Sequence, residues 1–488
     1  MKWSWGLWLL SFLFAGITAP VSGATIQPSK KFARSDLSVR VLGESPFTDQ
    51  ERASRSFVAI KSKEWSACRK PEDVIRFRAA GSDPVDEFLG TRLRLKTLAA
   101  MDERKLLAAN VKKQPWSGDY WAYSRGLLGA RYADPQFLEL GDWFARFTFI
   151  GENPLDKVLV AAGPEMMERV SPSEKYDLLV ADKRRALTAS MWEQGKAYYD
   201  NDGKVEDWMG LCHGWAAAAM IEPRPVQSIE VASFDRAWSL KFNPSELKGL
   251  MSYSWSTNPY DVAFLGERCS KKDPKRDENG RLIDPECFDL NPATWHQVIV
   301  HQVGVRNLPF IMDATYDYEV WNQPVTAYSY SYFNPRTMEP AANLESASVL
   351  KSEFTKDPFA EYRSGETVTV VGINMVVAYV VETRANTWES DTEGNDVVRW
   401  VMYQYDLELD AKGQLIGGEW HDPVHPDFVW MPKPQARPQS PLDPLLEDTP
   451  WDTEGAVPAK WAEAAWRSSQ YGIMLHSIPN ALFKRAGR

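Results

Sequence analysis

The run Trp208-Met209-Gly210-Leu211-Cys212-His213-Gly214-Trp215, followed by Ala216-Ala217-Ala218-Ala219-Met220, constrains this chain more than any other stretch. Gly210 frees the backbone for a turn. The alanine run has the highest helix propensity available. The pattern predicts a loop that ends in a helix, with Cys212 at or just before the first turn. A thiol there meets unpaired backbone N–H groups and the positive end of the helix dipole, and both favour thiolate. The same N–H groups can hold an oxyanion after attack on a carbonyl. A small buried cysteine in a core helix is the plainer reading of the same residues. Partners elsewhere in the chain decide between the two.

At 488 residues the chain is too long for one core, and two or three domains are expected. Apolar residues at 44% and charged residues at 25% are ordinary for a soluble globular protein. The net charge of −10 argues against nucleic acid or an anionic membrane as the main partner. Residues 1–23 read as a secretory signal: Lys2 is basic, Gly6 to Ile17 is apolar but too short to span a bilayer, and Ser22, Gly23 and Ala24 offer a cleavage site. No other stretch is apolar enough for a membrane span, so the mature chain is expected to be periplasmic or secreted. Export permits disulfides. Of Cys68, Cys212, Cys269 and Cys287, the last pair brackets a polar loop, and a Cys269–Cys287 bridge would staple it while leaving Cys212 free.

Residues 24–165 read as a mostly helical N-terminal region, interrupted by the aromatic loop Gln114-Pro115-Trp116-Ser117-Gly118-Asp119-Tyr120-Trp121. Residues 166–430 form the expected catalytic core. It has helix starts at Pro172 and Asn243-Pro244-Ser245-Glu246, and a strand from Ser228 to Ala232. The β-rich run Gln297 to Val303 and the run Leu308 to Met312 are read as strands, with a helix over 293–303 as the alternative because Pro292 would suit its start. Thr367–Val371, Met375–Glu382, Val398–Leu409 and Leu415–Trp420 are further strand candidates, with Asp410-Ala411-Lys412-Gly413 as a hairpin turn. Residues 431–488 read as a Pro-rich strap and a helical tail. The fold class is thus α+β, multidomain.

A cysteine nucleophile needs a base in hydrogen-bond reach and a third group to orient it. His296 at the start of one candidate strand and Asp313 at the end of the next would lie side by side in an antiparallel pair. Cysteine on a helix, then histidine and aspartate on strands, is the layout of papain-like and transglutaminase-type acyl-transfer enzymes. A surface histidine and a strand-terminal aspartate are the bland reading. His425 with Asp427 is the alternative base and orienter. Two acidic loops, Asp200-Asn201-Asp202-Gly203 and Asp277-Glu278-Asn279-Gly280, are better read as solvated turns than as calcium loops, because each lacks the full ligand spacing. No Cys/His spacing suggests zinc.

Glu319-Val320-Trp321-Asn322-Gln323-Pro324-Val325 resembles the peptide core of the oomycete cell-wall transglutaminase elicitor, and Trp208 to Trp215 resembles the nucleophile segment of that family. Pro115 to Trp121, Gly266-Glu267-Arg268-Cys269, Asp289-Leu290-Asn291-Pro292, Gly417-Gly418-Glu419-Trp420 and His425-Pro426-Asp427-Phe428 resemble further family blocks. The family also occurs in bacteria. The resemblance implies a secreted, calcium-dependent protein-glutamine γ-glutamyltransferase with a papain-like core, acting on proteins or peptides that bear glutamine and lysine or another amine. Cys212 takes the nucleophile's place. Trp208, Trp215, Trp321, Asn322 and Gln323 are the candidates to line the cleft or hold the oxyanion. Two alternatives stand beside this reading: a cysteine peptidase or amidase on the same core, and a catalytically inactive secreted adhesion or structural protein.

Overall fold

The computed structural model describes residues 85–487, apart from 93–94, 162–166, 270, 272–273, 278–280, 282, 285–286, 288–289, 316–317 and 423–424. The expected signal sequence and Cys68 lie outside the described residues.

Several helices precede the long strands of the main sheet, and four of them shape the region around Cys212. They are α1 (Pro172–Leu179), α2 (Ala186–Asp202), α3 (Cys212–Ile221) and α4 (Pro244–Thr257). The starts of α1 and α4 were legible for a physical reason. Ser171 with Glu174, and Asn243 with Glu246, each close a reciprocal capping box, and Pro172 and Pro244 occupy first-turn positions where no N–H is needed. A separate hairpin pairs Ile229–Ala232 with Ser239–Phe242.

The sheet is antiparallel. Its strands are β1 (Val262–Gly266), β2 (Phe310–Asp313), β3 (Asn322–Phe333), β4 (Thr369–Val381), β5 (Val397–Leu409), β6 (Leu415–Gly417) and β7 (Phe428–Pro432). They lie in the order β6-β5-β4-β3-β2-β7-β1, and three short strands pair onto β3 and β4. The expected Thr367–Val371 and Met375–Glu382 strands are one continuous strand, β4. Gly372 permits this: a Cβ there would stand 2.6 Å from the Phe333 ring, so the missing side chain is what lets β3 lay its aromatic across β4. The turn at Asp410–Gly413 is present, with Asp410 Oδ1 accepting from the N–H groups of Lys412 and Gln414 and Gly413 at φ +72°.

The two faces of the sheet carry different layers. Ile311, Ala327, Val380, Phe428 and Trp430 pack into the core built with α1 to α4. Their neighbours Phe310, Met312, Val381 and Val429 face the opposite core, with α5 (Pro292–Ile299). This alternation is the period of two that a strand imposes. Here the expected strand over 297–303 is corrected. Asn291 caps the segment, Pro292 sits at its first turn, and the helix continues through a π-helical stretch, Val300–Val305. Every residue of α5 is buried. Packing on all sides overrides the strand preference of Val298, Ile299 and Val300.

The tail holds α6 (Ala459–Ser469), near the expected helix, and α7 (Ser477–Ala486), which the sequence reading did not anticipate. Leu482 and Phe483 of α7 share one core with Trp121, Trp143, Trp215 and Leu250.

Cys269 and Cys287 form a disulfide across a separation of 18 residues. Replacing both by serine is expected to cost about 3 kcal/mol through the entropy of the opened loop, read as a lower urea midpoint.

Candidate active site

Helix α3 starts where its glycines allow it to. A Cβ on Gly214 would stand 2.2 Å from the Ser252 carbonyl of α4, and one on Gly210 would meet the Tyr120 ring at 2.5 Å. The Leu211 N–H donates to the Tyr120 carbonyl at 2.6 Å, which fixes the entry to the helix. Gly214→Ala is expected to destabilise the protein by about 1–3 kcal/mol, because backbone rather than a flexible side chain stands in the way. Thermal unfolding measures this.

Cys212 is the first residue of α3, is 5% exposed, and is the free cysteine among the described residues. Its S–H donates to the Val320 carbonyl at 3.6 Å, and the Asn322 side-chain amide donates to the sulfur at 3.3 Å. The Asn322 backbone N–H also favours the charged sulfur. The orientation of the amide is set from behind, where Trp430 Nε1–H donates to Asn322 Oδ1 at 2.7 Å. That bond occupies the carbonyl end and leaves the NH₂ end for Cys212. Burial, followed by the negative charge of Glu382, nevertheless pushes the thiol up to about 11, with Asp313 adding to the effect. The resting group is a protonated thiol.

Asp313 ends β2 and pairs in register with Asn322, the first residue of β3. Its Oδ1 accepts from the Trp321 N–H at 3.0 Å and from Thr315 Oγ1 at 3.2 Å. Gln323 Nε2 donates to Glu382 Oε2 at 2.8 Å. Tyr120 and Trp321 pack with Cys212, and the partly buried Trp208 completes the wall. The structure therefore brings together Cys212, Asp313, Trp208, Trp321, Asn322 and Gln323, and adds Tyr120 and Glu382, which sequence reasoning had not assigned to the site.

Other expectations are corrected. The indole N–H groups are committed elsewhere: Trp208 donates to Glu206 Oε2, Trp321 to Glu319 Oε2 and Trp215 to the Trp116 carbonyl. Asn322 is the donor facing the sulfur in their place. His296 is not brought to Cys212. It lies on α5, on the far face of the sheet, with Nδ1 hydrogen-bonded to Tyr405 Oη at 2.8 Å and its ring against Tyr330 at 4.8 Å. His425 is stacked on Trp420 at 4.8 Å, and Asp427 Oδ2 accepts from the Cys269 N–H, so this pair sits by the disulfide.

Burial lowers His296 and His425 to about 3, far from the near-neutral value a general base needs. A depressed imidazole contributes stability above its unfolded value, about pH 6.5. That contribution is lost as pH falls through the folded value near 3. The ¹⁵N shifts of both rings are therefore expected to stay flat between about pH 8 and pH 5.

The described residues do not fit a calcium ion. No three acidic, histidine or cysteine side chains among them converge on one point. Asp200 pairs with Lys196, and Gly203 is the left-handed cap of α2. Asp277 accepts from the Arg281 N–H and from Tyr362 Oη.

The transglutaminase elicitor family model matches residues 84–442. The chain belongs to the transglutaminase elicitor family. No curated protein sequence matches it. Among solved structures, this transglutaminase elicitor chain is similar to the crystal structure of the GP42 transglutaminase from Phytophthora sojae. The identity is 18% and the TM-score 0.50, over 80% of this chain and 99% of that one. At that identity the likeness speaks for the fold: helices and a curled antiparallel sheet arranged as in a transglutaminase.

Proposed function

We propose that this member of the transglutaminase elicitor family is an exported protein-glutamine γ-glutamyltransferase with Cys212 as its nucleophile. The observation that carries the reading is the pair of Asn322 N–H groups facing a free thiol at a helix N-terminus. The sulfur attacks the side-chain carbonyl carbon of a glutamine. Charge that develops on the carboxamide oxygen meets donors at the start of α3 and the Asn322 amide. The C–N bond breaks, and ammonia leaves carrying the proton that the thiol gave up. Asp313 and Glu382 are the carboxylates whose charge reaches the thiol, and in this reading one of them takes the proton before it leaves on ammonia. A lysine or other primary amine then takes the acyl group, forming the isopeptide and restoring the thiol. The aromatic wall of Tyr120, Trp208 and Trp321 limits water, which would otherwise divert the thioester to deamidation. The basic and apolar run from Lys2 to Ile17 supports export.

A second reading, a secreted binding protein on an inactive core, draws support from one observation: the thiol is buried, protonated, and hydrogen-bonded to a carbonyl and an amide rather than to an imidazole. Incorporation of dansylcadaverine into casein by the mature chain, beside Cys212→Ala, separates the readings. Cys212-dependent labelling supports acyl transfer to amines. Cys212-dependent ammonia or peptide release without labelling moves the protein to an amidase or peptidase. Neither activity from folded protein leaves the binding reading.

A further inference from the structure

A groove of about 1730 Å³ lies on the other side of the turn that carries Cys212. Leu211 and His213, the two chain neighbours of the cysteine, line it, while the Cys212 side chain turns toward Val320 and Asn322 on the sheet. The C-terminal half of α4 forms one side, with Ser256 and Asn258. Residues of α2 and the segments 435–439 and 470–473 complete it.

The lining is rich in carboxamides. Gln194, Gln435, Gln439, Gln470 and Asn258 present carboxamides, each both donor and acceptor. The Gln435 and Gln439 side chains make no hydrogen bond to another described residue. Asn258 is 3% exposed and donates through Nδ2 to the Ser254 and Met474 carbonyls, yet its Oδ1 has no partner. Tyr471 is 82% exposed, and with Tyr260 it gives the groove aromatic surface. The formal charges cancel: Arg184 and Arg437 stand against Glu193 and Asp261. Burial lowers the His213 imidazole to about 4, so it adds none at neutral pH.

These features select among ligands. A balanced lining gives no purchase on a phosphate, a polycation or a nucleic acid. A volume well above the range of about 300–1,000 Å³ typical of small-molecule pockets suits several linked units rather than one. Amides that both give and accept match hydroxyl groups, which do the same, and an open tyrosine ring suits the C–H face of a pyranose. A peptide held in a groove is selected by pockets for its apolar anchors; this lining mixes amides, hydroxyls and charges with apolar surface from Leu211, Val262 and Ile473, so an extended peptide is the competing occupant.

We propose that this groove binds a neutral oligosaccharide chain alongside the helix that bears Cys212. The site is separate from acyl transfer and stands or falls without it. Binding of cellohexaose, chitohexaose and mannohexaose to the full mature chain, measured by calorimetry, tests the proposal, with an uncharged glycine–serine–glutamine dodecapeptide as the competing probe. At least one hexasaccharide is expected to bind wild type and Cys212→Ala alike. Affinity should fall about tenfold or more in Tyr471→Ala and in the Gln435→Ala/Gln439→Ala double variant, and should be unchanged in Trp400→Ala, an exposed aromatic outside the groove. The substituted side chains are exposed, and circular dichroism checks that the variants fold. The proposal is overturned if no hexasaccharide binds, if binding ignores the Tyr471 and glutamine substitutions, or if the dodecapeptide alone binds in a Tyr471-dependent way. Loss of amine incorporation with saccharide binding intact would count against the transferase and not against the groove.

Discussion

Cys212→Ala is expected to reduce amine incorporation by about 10⁴-fold or more, because removal of a covalent nucleophile takes the acyl-enzyme route with it. The wild-type thiol should show its environment in a second measurement. Held up to about 11 by burial and by Glu382, it is mostly protonated at neutral pH. Its alkylation by iodoacetamide in the native protein should rise about tenfold for each pH unit between about 7 and 10. A rate that is already level at pH 7 would mean that the thiolate is the resting form and that the balance of donors and carboxylates around the sulfur differs from the one described. Sign and window also bear on stability. A raised thiol contributes most below the unfolded value, about 8.5, and that contribution is lost as pH climbs toward the folded one.

Asn322→Ala is expected to lower kcat by about 10²–10³-fold with a smaller change in KM, the loss typical of a missing oxyanion donor. Trp430→Phe leaves the asparagine in place but removes the bond to its Oδ1. The amide is then free to turn, and a drop of about tenfold in kcat is expected, smaller than for Asn322→Ala. Both residues are buried, so unfolding midpoints must accompany the kinetics. If Trp430→Phe and Asn322→Ala lower stability but leave kcat intact, the chain Trp430–Asn322–Cys212 is packing and the oxyanion is held elsewhere.

Some of this was readable before any coordinates. Pro172 and Asn243-Pro244 marked helix starts because the signals that begin a helix act locally, within about three residues. The alanines after Cys212 marked α3 for the same reason. Cys269 and Cys287 could be paired because the residues between them have little core. His296 escaped because two local signals conflicted. The cap at Asn291-Pro292 asked for a helix, the valines and isoleucine after it asked for a strand, and only the burial of α5 between its neighbours resolved the conflict. Strand β3 was missed although Tyr328, Tyr330 and Tyr332 face one core while Ser329 and Ser331 alternate with them. That period of two was the available signal. The tryptophans misled differently. Their indole N–H groups were available on paper, and only the fold shows that Glu206, Glu319 and the Trp116 carbonyl already hold them. Asp313 and Asn322 meet because β2 and β3 pair in register, which no local pattern announces.

The setting of Cys212 is assembled from distant parts of the chain. The cysteine and Asn322 are 110 residues apart, and Asn322 and Trp430 another 108. Until β3 and β7 are in place, the thiol is an ordinary one, ionising near its free value and open to solvent. The chain must meanwhile join Cys269 to Cys287, and the attacking species in that exchange is any available thiolate. Completion of the sheet thus does two things at once. It builds the pocket around the thiol, and it withdraws Cys212 from the pool of thiols that could scramble the cross-link. In an oxidising compartment, mispairing through Cys212 would be open only for as long as the central strands remain apart.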